Sequence, residues 1–420
     1  MTQVAASLEE KSVGIVSSWA LPLAAILGCH VWVDLCAAVL PSTLGVVEAI
    51  YDLSPQESAW LLGAGSVAAG LSQPLSALIA DRLRTYVLGG LGGVLAAIGI
   101  GAIGWVGQPA TLWIVYIFGA VGIGLFHPAA VSAAGQLREE RRTISVAFFF
   151  VAGMSGGVLG AFLVPRLVAA SGGVNFLGWL VIPGCLLAVL FLWAVRRVRH
   201  RGSLTVVKRL PVHDIGTRWL VVMLVYMATV IRFTAHLALV YVFVRWVQGG
   251  IQLQYPGWTT EKLATFSAPQ VGSLNACVMA GAATGGLCAG FLVRSGREKW
   301  PLVMLPCAAS PLAASLAFLP VDWGYAVCFL VGVGMFSMVP VGISLAQRML
   351  PHRTHLASAI VLGGTWVPAM CGPRLAEWSL RALGQTQTFI LIGVALFVSG
   401  TLVLPLRSSF LMQTIHQEQE

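Results

Sequence analysis

The chain has 420 residues, of which 57% are hydrophobic and only 10% charged, and its mean hydropathy is +0.85. Soluble domains carry about a quarter charged residues, so this composition excludes one. The formal charge of +9 therefore has to be read by its placement. Apolar stretches recur along the whole length, each long enough for a helix to cross a hydrocarbon layer about 30 Å thick.

In chain order, the opening MTQVAASLEEKSVG is short and polar, with acids at Glu9 and Glu10. The apolar run behind it is too long for a signal-peptide core, so residues 1–17 are expected to stay as a cytoplasmic tail. Twelve spans follow, near residues 18–47, 55–80, 85–105, 109–136, 143–169, 174–195, 218–247, 268–293, 300–319, 323–349, 355–382 and 386–406. The longest polar connection, RRVRHRGSLTVVKRLPVHDIGTR at 196–218, divides them six and six. The expected domains are thus a first bundle at 18–195, a linker at 196–217, a second bundle at 218–406 and a cytoplasmic tail at 407–420. The fold class is an all-α membrane protein of two six-helix bundles. A barrel would instead alternate apolar and polar residues in segments of about ten.

With both termini cytoplasmic, the connections on that side hold nineteen of the 25 Lys and Arg: Lys11, Arg82 and Arg84, Arg138, Arg141 and Arg142, the seven from Arg196 to Arg218, Arg294, Arg297 and Lys299, Arg348 and Arg353, and Arg407. Positive residues near span ends stay on the cytoplasmic side, which gives a multi-pass protein of the cell (inner or plasma) membrane. The basic runs then mark topology, and neither nucleic-acid binding nor a lipid site is needed to explain them. The eight cysteines (29, 36, 185, 277, 288, 307, 328 and 371) all fall in spans without a CxxC or Cys/His cluster. They read as packing residues, with no metal site or disulfide framework.

The halves echo each other. GGVLGAFLVPRLVAASGG (156–173) aligns with GTWVPAMCGPRLAEWSLRALG (364–384), placing Pro165-Arg166-Leu167 on Pro373-Arg374-Leu375 at an offset of 208. Parallel repeats of six helices are the arrangement of one transporter class, with the substrate site near the midplane between the halves.

Of the sixteen acids, Asp34 is the one placed well within a span; Glu48 lies at a span end. A charge at the bilayer centre costs roughly 2.5 to 3.5 kcal/mol on insertion scales, so Asp34 should face the bundle interior with a partner or a task. His30, four residues earlier, shares its helix face and is one candidate partner; a cation across the cavity, such as Arg232, is another. The remaining deep ionisable residues are His127, Arg232 and His236. Asp34 balanced between desolvation and nearby cations could exchange protons, with the histidines sharing that role. It could equally form a permanent bridge or touch substrate. Arg232 could bind an anionic group or pair with Asp34. His127-Pro128 could act chiefly as a kink. Arg166 and Arg374 read as snorkelling arginines. Gln73, Asn275, Ser344 and Gln347 are candidate neutral polar contacts. No Walker-type loop, HExxH or GxSxG motif is present, so the chain reads as neither enzyme nor ATP-driven pump, with no cofactor.

Several of these residues carry a family resemblance. His30, Asp34 and Leu40-Pro41, LSPQESAWLLGAGSVAAGLSQPLSALIADR (53–82) and GLFHPAAVSAAGQL (124–137) resemble the major facilitator superfamily, and within it the drug-efflux branch that includes fosmidomycin-resistance-type exporters. Of the superfamily's inner-loop motif, ALIADRLRT keeps Asp81 and Arg82 but has Ala77 for the first glycine and lacks the Gly-Arg pair. The second-half copy GFLVRSGREK keeps Gly290, Gly296 and Arg297 without the aspartate. Gly153, Gly156, Gly157 and Gly160 match part of the antiporter-associated fifth-span motif, with Ala161 at its proline position. The resemblance implies that spans one, four, seven and ten line a central cavity, and all five deep ionisable residues fall on three of these four. It also implies an inner gate of Asp81 and Arg82, facing Arg138 or Arg142.

The expectation is a secondary active transporter, working as a monomer in the lipid bilayer, that exports a small organic molecule in exchange for protons by alternating access. The alternatives are a proton-linked importer or uniporter of a small anionic metabolite, and a non-transporting membrane sensor. The candidate residues are Asp34 and His30 for proton coupling, and His127, Arg232, His236, Gln73, Asn275, Ser344 and Gln347 for the cavity.

Overall fold

Apolar segments in lipid must satisfy their backbone hydrogen bonds internally, and helices do so within one segment. The computed structural model describes residues 2–83, 85–137, 142–196, 198 and 215–419; the side chains of 2–18, 81, 142–143, 352, 354–355 and 414–419 are outside that description. Helices run through it from end to end: α1 Thr2–Ile50, α2 Pro55–Leu83, α3 Val87–Ala102, α4 Pro109–Leu137, α5 Arg142–Ser171, and a 3-10 turn Val174–Leu180 leading into α6 Val181–Val195. The second half holds α7 Ile215–Gln254, α8 Thr260–Leu292, α9 Lys299–Ser315, α10 Val321–Phe336, α11 Val339–Met349, α12 Thr354–Ser358, α13 Trp366–Ala369, α14 Cys371–Leu383, α15 Gln385–Thr401 and α16 Ser408–Gln419. Among the described residues, ten helical segments are long and apolar enough to span a membrane, and the shorter apolar helices Val87–Ala102 and Gln385–Thr401 bring the number to twelve. The tenth span is α10 with α11. The eleventh is α12 to α14, interrupted by a π turn at Ala359–Gly363.

Helix ends depart from the apolar runs where local chemistry overrides hydropathy. α8 starts at Thr260, well before the run at 268, because Thr259 caps it by accepting a hydrogen bond from the Lys262 amide at 3.3 Å, which satisfies one of the orphan donors of the first turn. α7 continues to Gln254, and α1 is already helical at Thr2, within the expected tail.

Small residues set how closely the helices approach. A Cβ on Gly156 would strike the Val31 carbonyl oxygen, and one on Gly160 would come within 2.5 Å of the Leu35 oxygen, so α5 lies backbone to backbone against α1. The second half repeats this seam, with Gly372 of α14 against the Thr234 carbonyl of α7.

Among the described residues, the polar contacts between the two bundles lie toward the side opposite the N-terminus, hereafter the far side. There Arg245 of α7 donates to Glu48 of α1 at 2.7 and 2.8 Å, and Tyr241 donates to the Pro55 carbonyl at 3.0 Å. Asn275 donates to the Pro41 carbonyl at 3.3 Å, and Arg166 to Ser273 at 2.8 Å. Nearer the middle, Gly63 and Gly70 of α2 admit the carbonyls of Met370 and Gly363.

Overpacking a well-filled contact costs about 1–3 kcal/mol, and a backbone carbonyl cannot move aside as a side chain can. Gly156→Val is therefore expected to lower the Tm of the purified protein by several degrees or to abolish folded yield. Gly157→Ala, whose nearest foreign atom would be Met279 Sδ at 3.9 Å, should be tolerated; fluorescence-detected thermal unfolding compares the two.

Candidate functional site

Asp34 sits midway along α1, and two imidazoles converge on its carboxylate. His127 Nε2 lies 3.0 Å from Oδ1. His30 Nε2 lies 3.4 Å from Oδ2 without the alignment of a hydrogen bond. The side chains of Asp34 and His127 remain 20% and 26% exposed, whereas that of His30 is buried at 3%. One wall of the cluster is thus open and the other closed. Three helices supply it: α1 gives both His30 and Asp34 through their i,i+4 spacing, α4 gives His127, and α5 supplies the floor. His30 stacks on Phe149 with ring centroids 3.7 Å apart, and Gly153 leaves the room it needs. A Cβ there would come within 2.5 Å of both Asp34 Oδ2 and His30 Nε2.

The hydrogen bonds on the other ring nitrogens fix the tautomers. His127 Nδ1 lies 2.7 Å from the Ile123 carbonyl and His30 Nδ1 lies 2.8 Å from the Phe149 carbonyl. A carbonyl only accepts, so each Nδ1 carries its proton. Between His127 Nε2 and Asp34 Oδ1, one further proton must then lie, either as imidazolium facing carboxylate or as imidazole facing carboxylic acid. His30 Nε2 is a second, buried nitrogen with no hydrogen-bond partner. The three ligand atoms lie within 4.8 Å of one another, a donor set a divalent ion also uses. Here the carboxylate already has its compensating proton from His127.

A second group of polar residues lies on α7. Arg232 is fully buried; its Nη2 donates to Thr229 Oγ1 at 2.9 Å, while Nε and Nη1 have no partner. His236, one turn on, is also buried and its Nδ1 is unpartnered. The Asp34–Arg232 bridge left open by the sequence is not made, because the histidines occupy Asp34.

Residues 26–361 match the family described as Major Facilitator Superfamily, which is most of the chain. The chain belongs to the major facilitator superfamily. Solved transporters share its fold. A bacterial homologue of the human lysosomal transporter Spinster, inward-facing and unoccupied, superposes with a TM-score of 0.66 at 13% identity, covering 94% of this chain and 98% of its own. A D-xylose–proton symporter gives 0.68 at 15%, covering 91% and 96%, and a mutant peptide transporter POT in complex with sulfate gives 0.69 at 16%, covering 91% and 93%. At these identities the likeness is one of fold. No curated protein matches the chain in sequence.

The other sequence candidates of this facilitator-superfamily chain are more scattered. Asn275 ties α8 to α1, and Gln73 of α2 faces Gly363 across the bundles. Ser344 and Gln347 are exposed on α11, with Gln347 donating to Ser358 at 2.7 Å. Of the expected inner gate, Arg138 and the side chains of Asp81 and Arg142 lie outside the described residues, and Arg82 is exposed. Arg374 does not simply snorkel: it pairs with Glu377, a buried acid one turn on. Arg166 bonds to Ser273 between the bundles.

Sequence reasoning missed three acids. Glu48 joins Arg245 across the bundles. Glu377 is buried in the eleventh span alongside the arginine singled out for its repeat position. Glu298, directly after Arg297, pairs with Arg348 at 2.7 Å, both buried, while Arg218 donates to the Arg348 carbonyl at 3.3 Å. The second-half loop motif thus keeps an acid, displaced to the residue after its arginine.

The shared proton has a spectroscopic consequence. Nitrogen-15 NMR of histidine-labelled protein at neutral pH is expected to show His127 with both ring nitrogens in hydrogen-bonded, proton-sharing positions, and Asp34→Asn should return it to an ordinary neutral ring. An identical His127 spectrum in the two proteins would contradict the assignment.

Proposed function

We propose that the protein is a proton-coupled secondary transporter that exports a small organic molecule by alternating access, in the manner of drug/proton antiporters. It sits in the cell membrane with both termini cytoplasmic. The observation that supports this reading above the rest is the 3.0 Å contact of His127 Nε2 with Asp34 Oδ1, which requires a shared proton, beside a His30 nitrogen without a hydrogen-bond partner. Such a cluster takes up and gives back protons without unfolding anything, and the partial exposure of Asp34 and His127 leaves it reachable from outside the packed helices.

The alternating step follows from the placement of contacts. The Glu48–Arg245–Tyr241 group and the Asn275–Pro41 bond clasp the bundles at the far, extracellular side, so the chain rests closed outward. Opening outward must break the Glu48–Arg245 pair, which is partly buried and hydrogen-bonded; such pairs hold more firmly than exposed ones. Outward opening exposes the cluster to the more acidic side, where Asp34 and its histidines load protons. Substrate leaves in that outward-open state; return inward releases the protons and lets the next substrate molecule bind.

Rescue of a deletion strain against a compound panel identifies a substrate. In proteoliposomes, an imposed pH gradient should then drive that compound against the proton flow, and Asp34→Asn should reduce the driven flux to background while the protein remains folded. Undiminished proton-driven flux in Asp34→Asn would refute the coupling; movement of compound with the protons would make the protein an importer. Glu48→Gln is expected to raise the labelling rate of a cysteine placed in the far-side half of the cavity about fivefold or more, since loss of a charge-assisted pair is worth roughly 1 kcal/mol or above.

A further inference from the structure

The Arg232 guanidinium is the largest unsatisfied charge in the described interior. It is completely buried, and one hydrogen bond, to Thr229, accounts for only part of its donor set; the Nε–H and both Nη1–H groups face no acceptor. Every enclosed acid among the described residues that might neutralise it is committed elsewhere. Asp34 is taken by His127 and His30, Glu48 by Arg245, Glu298 by Arg348 and Glu377 by Arg374. A buried charge is tolerated when it is paired or has a task, and here the chain itself provides no pair.

The backbone around it is irregular in a way the first bundle is not. The tenth span breaks between Phe336 and Val339, and the eleventh passes through the π turn at Ala359–Gly363 and a break before Trp366. Both interruptions converge on this stretch of α7: Phe336 lies edge-on to His236 at 4.9 Å, and Phe233 packs against Trp366 at 4.5 Å and Phe336 at 5.5 Å. Broken spans at membrane depth are tolerated where they line a cavity, and π turns concentrate at functional positions.

We infer that Arg232, with Thr229 and His236, forms an anion-recognition subsite, so that the transported molecule is an organic anion whose carboxylate or phosphoryl oxyanion is received by the guanidinium. A guanidinium presents a planar fork suited to such oxyanions, and the Phe336 and Trp366 rings supply apolar surface beside it for the body of the molecule. The inference rests on the transporter reading and adds the substrate class. It also divides labour between the bundles: the first handles the proton, the second the anion.

The test uses the purified full-length protein and aromatic probes that differ in charge: benzoate and phenylphosphonate against benzyl alcohol and benzylamine. Calorimetric titration should show binding of the two anions and not of the neutral or cationic probe. Arg232→Gln should weaken anion binding about tenfold or more, while Arg166→Gln, altering an arginine elsewhere, should leave it unchanged. A second readout needs no ligand. Removing an uncompensated buried charge does not destabilise a fold, so ligand-free Arg232→Met should have a Tm equal to or above that of the unaltered protein. Equal binding of charged and neutral probes, anion binding unaffected by Arg232→Gln, or a Tm several degrees lower in Arg232→Met would each overturn the subsite. Proton-driven flux of neutral compounds alone would overturn the subsite and leave the transporter reading standing. Anion binding lost in Arg232→Gln, with no proton-driven flux in liposomes, would support the subsite and overturn the coupling.

Discussion

The proton confined between Asp34 and His127 is the constraint around which the first bundle is arranged. It joins α1 to α4 across 93 positions of sequence. His30, stacked on Phe149 and bonded to its carbonyl, joins the same helix to α5. The cluster forms only because Gly153 has no side chain and because Gly156 and Gly160 draw α5 down onto the α1 backbone. Each of these glycines looks like mere small-residue packing when taken alone. Together they fix the distance at which an acid and two imidazoles can share protons rather than hold them separately.

The same helix carries the far-side clasp. Glu48 is fourteen residues beyond Asp34 on α1, roughly 21 Å along an ideal helix, and Pro41, whose carbonyl receives Asn275 from the other bundle, lies between them. Proline removes a helix hydrogen bond and permits bending. A change of charge at Asp34 that shifted α1 against α4 and α5 would reach the Glu48–Arg245 contact through one continuous helix that carries Pro41 on the way. No relay of side chains between the bundles is required, so under the proposed proton coupling α1 is the element that would link protonation to access.

The spans and their grouping were legible because lipid demands long apolar helices, and the sequence has little else. The i,i+4 relation of His30 to Asp34 was legible for the same reason, since it depends on helix periodicity alone. What joins Asp34 to His127 was not. Both residues could be placed on cavity-lining spans, but whether Asp34 meets His127 or Arg232 depends on the relative depth and rotation of separate helices, which periodicity does not contain. Glu298 escaped notice because it follows Arg297, whereas the motif puts its acid several residues earlier, before the Gly-Arg pair, and its pairing with Arg348 depends on how separate segments pack. Helix ends such as Thr259 were set by a capping hydroxyl, a local term that hydropathy averages away.

The two halves share a repeat and differ in rigidity. In the first, the fourth and fifth spans are single helices, α4 and α5, and the polar cluster between them and α1 is nearly satisfied. In the second, the corresponding tenth and eleventh spans are broken, and the arginine they surround is unsatisfied. These differences belong together. Continuous helices hold fixed geometry, which a shared proton needs because its hydrogen bond weakens steeply with misalignment. Interrupted helices depart from the regular hydrogen-bond ladder, which would suit the proposed site, since it must close around a molecule and then release it. An internal duplication starts with two equivalent bundles. Under the proposed division, the stringent geometry in one and the adaptable surface in the other would let each change sequence without disturbing the other's task.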